Sequence, residues 1–197
     1  MKALLIVDAQ NDFMPGGSLA VAKGNEIIPF INSIINNYDV VVASQDWHPE
    51  NHKSFVTQHP DKNLFDIIDL NGLEQVLWPP HCVQGTKGAE LHPDLDIRPI
   101  EAVFRKGMDK EVDSYSVFYD NGKRISTRLS EYLKAKKVDT IDVVGLAADF
   151  CVNFSIQDAL KEGFKVNLIL EGTKAIDDDN FKKILEDLKA NSNFKAI

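Results

Sequence analysis

The sequence predicts one α/β domain built on a doubly wound, mostly parallel sheet with helices on both faces. Three observations carry this expectation. Short runs rich in Val, Ile and Leu fail to alternate with polar residues, the pattern of strands buried on both faces. Helical patterns lie between these runs, so strand and helix alternate as βαβ units require. The chain has 197 residues, 44% hydrophobic and 26% charged, which is enough for one sizeable core and short for two.

The first strand is expected at Ala3–Val7. Ile27, Ile28, Ile31, Ile34 and Ile35 then form a single apolar helical stripe. Pro29 falls near its first turn, where a missing N–H costs little. Val40–Ala43 is the second strand, and Glu101–Arg105 is a weaker strand pattern. Between them, Gln45 to Ile100 has little periodicity and holds all five histidines. Leu64–Leu70 reads as a short helix within it. A loop this long inside a compact domain is usually functional. Ser126–Lys137 is the next helix, burying Leu129, Tyr132 and Leu133, and Ile141–Leu146 the next strand. Phe150–Glu162 places Val152, Ile156, Ala159 and Leu160 on one face and ends at Gly163. Val166–Leu170 is a strand, and Asp179–Ala190 is a helix carrying Phe181, Ile184, Leu185 and Leu188.

Net charge of -8 disfavours nucleic acid and anionic membrane surfaces as partners. No stretch approaches the ~20 apolar residues of a membrane helix. The opening MKALLIVDAQNDF has too short an apolar run for a signal peptide. Two cysteines make no disulfide framework, so a reduced, cytoplasmic protein is expected.

Ligands of open parallel sheets bind beyond the carboxyl ends of the strands. Asp8, Asp46, Lys106 and Cys151 all follow strand ends. Asp149 as an N-cap would set Cys151 in a first helical turn, where free N–H groups lower a thiol pKa. On local sequence alone Cys151 reads rather as a buried apolar residue, the usual fate of a free cysteine. Asp8 either accepts the thiol proton or caps a turn. Lys106 either holds Asp8 ionised and steadies developing negative charge, or is a solvated surface lysine. Asp46-x-His48 joins a carboxylate to an imidazole, and His81 supplies a third donor from across the loop. Two histidines and a carboxylate leave coordination positions open, which suits a functional Zn, Fe or Mn ion. His52 is a further ligand to consider, whereas His59 and His92 read as loop residues. Cys82 follows no helix start, and adjacent residues of an extended chain point to opposite sides. If His81 faces an ion, Cys82 packs away from it.

Taken together, DAQNDFMPGGSLAV (8–21), SQDWHPENHKSF (44–55), WPPHCVQGTKGAELHP (78–93), FRKG with DSYSVF (104–118) and GLAADFCV (145–152) resemble the nicotinamidases (pyrazinamidases) of the isochorismatase-like cysteine hydrolase superfamily. The resemblance implies one such domain over residues 1–197, with a metal- and substrate-binding loop region at about 45–100. It implies a triad of Asp8, Lys106 and Cys151 and a metal held by Asp46, His48 and His81, with Zn ahead of Fe or Mn. It further implies an oxyanion hole from the N–H groups of Ala147 and Cys151, a cis Leu146–Ala147 peptide, and a ring pocket of Phe13, Trp78 and Tyr115. The implied reaction is hydrolysis of nicotinamide, and of pyrazinamide, through a cysteine thioester, as in NAD salvage. Self-association stays open. Two positions depart from the family's habit: Ala148, where Thr is frequent, and Phe150, where His or Tyr is common. The alternatives are an amidase or ureidohydrolase of the same superfamily, and a non-catalytic binding relative.

Overall fold

A computed structural model describes residues 1–197. In chain order the elements are β1 (Lys2–Val7), α1 (Ile27–Ile34), β2 (Val40–Asp46), β3 (Ile67–Leu70), β4 (Leu73–Val76), β5 (Ala102–Lys106), α2 (Leu129–Ala135), β6 (Thr140–Gly145), α3 (Asn153–Lys161), β7 (Lys165–Thr173), α4 (Asp178–Lys189) and β8 (Phe194–Ala196). Six strands form one sheet in the order β5-β2-β1-β6-β7-β8, and every pairing is parallel. The chain builds outward from β1 through β2 to β5, then returns to β6 and builds the other way. Strand order therefore reverses beside β1, where such sheets open a crevice at their carboxyl ends.

β1 shows why the sheet is buried on both faces. Ala3, Leu5 and Val7 point into a layer with Leu129 and Leu133 of α2, Ile156 and Ala159 of α3, and Leu188 of α4. Leu4 and Ile6 point the other way, onto Ile27, Ile28 and Ile31 of α1. All five of these strand residues are fully buried. Each large aliphatic among them contributes about 1.5–3 kcal/mol of burial.

Several expectations change. Leu64–Leu70 is no helix: Ile67–Leu70 is a strand paired antiparallel with Leu73–Val76. The two residues between them, Asn71 and Gly72, have φ of 56° and 84°. An Asn-Gly pair suits a tight hairpin turn that needs positive φ twice, and this local chemistry outweighs the apolar spacing. α2 begins at Leu129, not Ser126, because the side chains of Ser126 and Thr127 accept the N–H groups of Arg128 and Leu129. Such local bonds compete with helix and act as a cap. β8 was not foreseen from the sequence; three residues carry too little pattern to read. No helix is long and apolar enough to cross a membrane.

Candidate active site

Four strand ends deliver the chemistry. β1 ends at Val7, and Asp8 follows with φ of 46°. Its N–H donates to Ser44 Oγ at 3.1 Å, and the Ser44 hydroxyl donates to Asp8 Oδ1 at 2.6 Å. Asp46 and Lys106 face each other in register at the ends of β2 and β5. The Lys106 ammonium lies 2.9 Å from Asp8 Oδ2 and 2.6 Å from Asp46 Oδ1. It also donates to Ser114 O at 3.0 Å and reaches Cys151 Sγ at 3.4 Å. A carboxylate oxygen of Asp8, one of Asp46 and the Cys151 sulfur all lie within 4.8 Å of one another. Asp8, Lys106 and Cys151, expected to meet from positions far apart in sequence, are thus buried together.

Burial governs the charges here. It pushes the Asp8 carboxyl up, and Lys106 offsets only part of that rise. Burial also opposes charge on Asp46, but Lys106, His48 and His81 outweigh it and hold that carboxyl well below the usual range. Lys106 is disfavoured as a cation by burial, yet Asp46 and Asp8 drive its pKa well above the ordinary value. Burial pushes the Cys151 thiol well up, with Lys106 as the opposing influence. This direction is opposite to the acidification expected from a helical turn.

The cap assigned to Asp149 is overturned as well. Cys151 sits in a π turn, Ala148–Val152, that runs into α3, and its N-cap residue is Ala147 without a side-chain bond. The Asp149 carboxylate turns outward to accept the N–H groups of Ile176 and Asp177. The Leu146–Ala147 peptide is cis. The Ala147 N–H makes no backbone hydrogen bond, and Ala147 and Cys151 line the same cleft.

Asp46, His48 and His81 present ligand atoms within 4.8 Å of one another, all from buried side chains. Asp46 Oδ2 is 3.5 Å from His48 Nε2 and 3.8 Å from His81 Nε2. The donor set fits a divalent ion. His48 Nδ1–H donates to Gly107 O at 2.9 Å and His81 Nδ1–H to Pro79 O at 2.8 Å. Each bond puts the ring hydrogen on Nδ1 and leaves a lone pair on Nε2 toward the carboxylate, the orientation that a carbonyl behind a metal-binding imidazole imposes. Burial and the neighbouring His48 lower His81 to about 4, which keeps its imidazole neutral. Gln10 fixes the Asp46 backbone, its amide accepting Asp46 N–H at 2.8 Å and donating to Asp46 O at 2.8 Å. His52 differs. His52 Nδ1 lies 2.7 Å from Ser54 Oγ and 3.2 Å from the Ser54 N–H, its Nε2 has no hydrogen-bond partner, and the ring groups with His48 and Asp113 as a second set of donors. Cys82 is fully buried in the α1 layer, and burial pushes its thiol well up, in line with packing. His59 is held by Lys53 O and takes no part in the site.

Beside the thiol is a narrow cleft lined by Phe13, Leu19, Trp78, Tyr115, Phe150 and Ile176, with Asp46, His81 and Asp113 as its polar groups. Trp78 Nε1–H donates to Tyr115 Oη at 3.1 Å, and Phe150 stands edge-on to Trp78 at 4.9 Å between ring centroids. Phe13, Trp78 and Tyr115 are thus brought together as expected. A wider groove between α3 and α4 is lined by none of these groups.

With this geometry in hand, comparison with known proteins is direct. Residues 2–194 match the isochorismatase domain. The chain belongs to the isochorismatase family. Among isochorismatase-family relatives, the nicotinamidase of Acinetobacter baylyi is 49% identical over 175 residues, covering 89% of this chain and 82% of the relative. The solved nicotinamidase/pyrazinamidase of Acinetobacter baumanii superposes with a TM-score of 0.95 at 44% identity, covering 100% of this chain and 95% of that one. The pyrazinamidase of Pyrococcus horikoshii, solved in complex with zinc, has a TM-score of 0.81 at 34% identity, covering 100% and 98% of the two chains.

Some residues of this isochorismatase-family site escaped sequence reasoning. Asp113 lies in the DSYSVF block, yet nothing local marks its carboxylate as buried and turned toward His48 and His52. Leu19 and Ile176 are ordinary apolar residues of irregular segments, and only the folded chain brings them to one cavity. Ser44 sits within a strand pattern, and its bond to Asp8 depends on strand order alone.

Proposed function

We propose that this chain is a nicotinamidase that converts nicotinamide to nicotinate and ammonia through a thioester on Cys151, and that it also accepts pyrazinamide. The observation that carries the reading is the buried contact of Lys106 with both Asp8, at 2.9 Å, and Cys151, at 3.4 Å, beside an aromatic cavity. The relatives named above support the substrate class, and two unpaired cysteines agree with a reduced cytoplasm.

Asp8, whose affinity for protons is raised by burial, takes the Cys151 proton, and the thiolate attacks the carboxamide carbon. The N–H groups of Ala147 and Cys151 hold the oxyanion; losing one such donor costs roughly a hundredfold or more in rate. Lys106 steadies the charge as the proton moves from Asp8 to the departing nitrogen, which leaves as ammonia. Asp8 then deprotonates a water that attacks the thioester, and the thiol is regenerated as nicotinate forms. Phe13, Trp78, Tyr115 and Phe150 bind the ring and exclude water. Asp46, His48 and His81 would hold a divalent ion, zinc ahead of iron or manganese, which when bound supplies a Lewis-acid site for the ring nitrogen.

The test is to incubate the protein with nicotinamide and measure ammonia and nicotinate. Cys151→Ala abolishes turnover, and Cys82→Ala retains most of it. Loss of all turnover in a folded Cys82→Ala protein, with activity kept by Cys151→Ala, would reverse the assignment.

A further inference from the structure

The Asp149 carboxylate grips a loop other than its own. Its oxygens accept the Ile176 N–H at 3.0 Å and the Asp177 N–H at 2.9 Å. Asp149 is 3% exposed, so these charge-assisted bonds are shielded from water. Two more bonds join the same segments: Ala148 N–H to Lys174 O at 2.8 Å, and Thr173 Oγ1 to Gly145 O at 2.6 Å. Residues 174–177 lie between β7 and α4 and belong to neither, so their path depends on these ties. Ile176 lines the cavity together with Ala147, Phe150 and Cys151, yet it is 39% exposed. It therefore stands at the rim, with one side on the cavity and the other on solvent.

We propose that Asp149 is a positioning residue for access to the thiol: by gripping the backbone of Ile176 and Asp177, it fixes the Ile176 side chain as the rim wall that limits how wide a ring can reach Cys151. The chain of action runs from carboxylate to backbone to side chain. Asp149 itself touches no substrate. As a statement about amide selectivity this rests on the nicotinamidase reading; as a statement about access to Cys151 it stands without it.

Alkylation tests access directly. In the Cys82→Ala background, rates of Cys151 modification by iodoacetamide and by the wider iodoacetanilide are followed by mass spectrometry. Ile176→Ala and Asp149→Asn should each raise the wide-to-narrow rate ratio about tenfold, the scale on which a pocket wall discriminates. The double variant should go no further than Ile176→Ala alone, because the two residues act in series. A ratio unchanged in Asp149→Asn that melts like its parent, or one that multiplies in full with Ile176→Ala, overturns the proposal. If Asp149→Asn does not fold, Ile176→Ala carries the test, and an unchanged ratio there is equally fatal. Turnover of nicotinamide against 5-methylnicotinamide gives a second readout, in which both variants should lose discrimination through KM more than kcat. Wild-type protein that hydrolyses neither amide, with the alkylation ratios still responding, would sink the nicotinamidase reading and leave this one in place.

Discussion

Replacing Gly107 by Ala puts a methyl group where the His48 ring now lies. A Cβ at position 107 would stand 2.4 Å from His48 Cε1 and 2.6 Å from His48 Nδ1. Ordinary contact is about 3.5–4.0 Å, so the ring must retreat by about 1 Å. It has little room to do so, being 1% exposed and packed at centroid distances of 4.5 Å from His52, 5.0 Å from His81 and 5.5 Å from Phe55. The move also strips His48 Nδ1 of its 2.9 Å bond to Gly107 O, which sets the tautomer. Overpacking of this kind costs about 1–3 kcal/mol, and Ala at the φ of 66° costs about 1–2 kcal/mol more. Loss of a partner that orients a ligand lowers metal affinity about 10–100-fold. Gly163→Ala is the control: φ is 90° there but nothing lies within 4 Å of its Cβ, so it reports strain alone. Zinc affinity is measured by chelator competition and stability by urea unfolding. Gly163→Ala should lose stability and keep its affinity, and Gly107→Ala should lose both. A folded Gly107→Ala protein with wild-type zinc affinity would refute the assignment of His48 as a ligand held from behind.

Three further outcomes are expected. Lys106→Met leaves the buried carboxylates of Asp8 and Asp46 without their common cation, which costs about 3–5 kcal/mol in urea unfolding at neutral pH. An unchanged midpoint would mean that the pair is not charged as described. Trp78→Phe keeps an aromatic wall but removes the donor to Tyr115, so KM should rise about threefold to tenfold with kcat nearly constant. A fall in kcat alone would count against that role. Glu162, bonded by Lys134, Ser130 and Tyr119, is lowered from 4.5 to about 2. Its stabilisation is therefore complete above the ordinary value and lost as pH falls toward 2. It is partly exposed, so Glu162→Gln should cost only about 0.5–1 kcal/mol near neutral pH. The gap from wild type should close in acid melts, and a gap that widens in acid would contradict the sign.

What the sequence discloses follows from how far each signal reaches. Val40–Ala43 and Ile141–Leu146 are legible because strands buried on both faces need unbroken apolar runs, and both are found within three residues of their observed ends. Asp8, Asp46, Lys106 and Cys151 are legible as candidates because each follows such a run. That they gather on one rim follows from the strand-end rule, but which of them touch depends on the order β5-β2-β1-β6, which no local pattern states. The resemblance to a known family carried that step. The Asn71-Gly72 turn has a sequence signal of its own, whereas the apolar spacing before it fits helix and strand alike. Asp149 shows the opposite failure: its position fits an N-cap, but a carboxylate serves whichever N–H groups the fold brings near, and these come from residues 176 and 177.

The proposed ion site and the proposed triad form one electrostatic unit, and the charges show why. Asp8 and Asp46 are buried against the Lys106 cation, and the buried carboxylate of Asp113 groups with His48 and His52. Their formal charges leave an excess of two negative charges out of water, a costly state unless something balances it. A divalent ion at Asp46, His48 and His81 balances it in full. Without one, the excess falls on His48: burial would lower its pKa, but Asp46 outweighs burial and raises it, so a proton is drawn to the place an ion would take. Asp46 is the hinge of this arrangement, with Oδ1 on Lys106 and Oδ2 toward both histidines. A substitution at Asp46 must therefore disturb the environment of the thiol as well as the ion. Loss of metal and loss of thiol reactivity should appear together there, whereas His81, which touches no triad residue through hydrogen bonds, separates them.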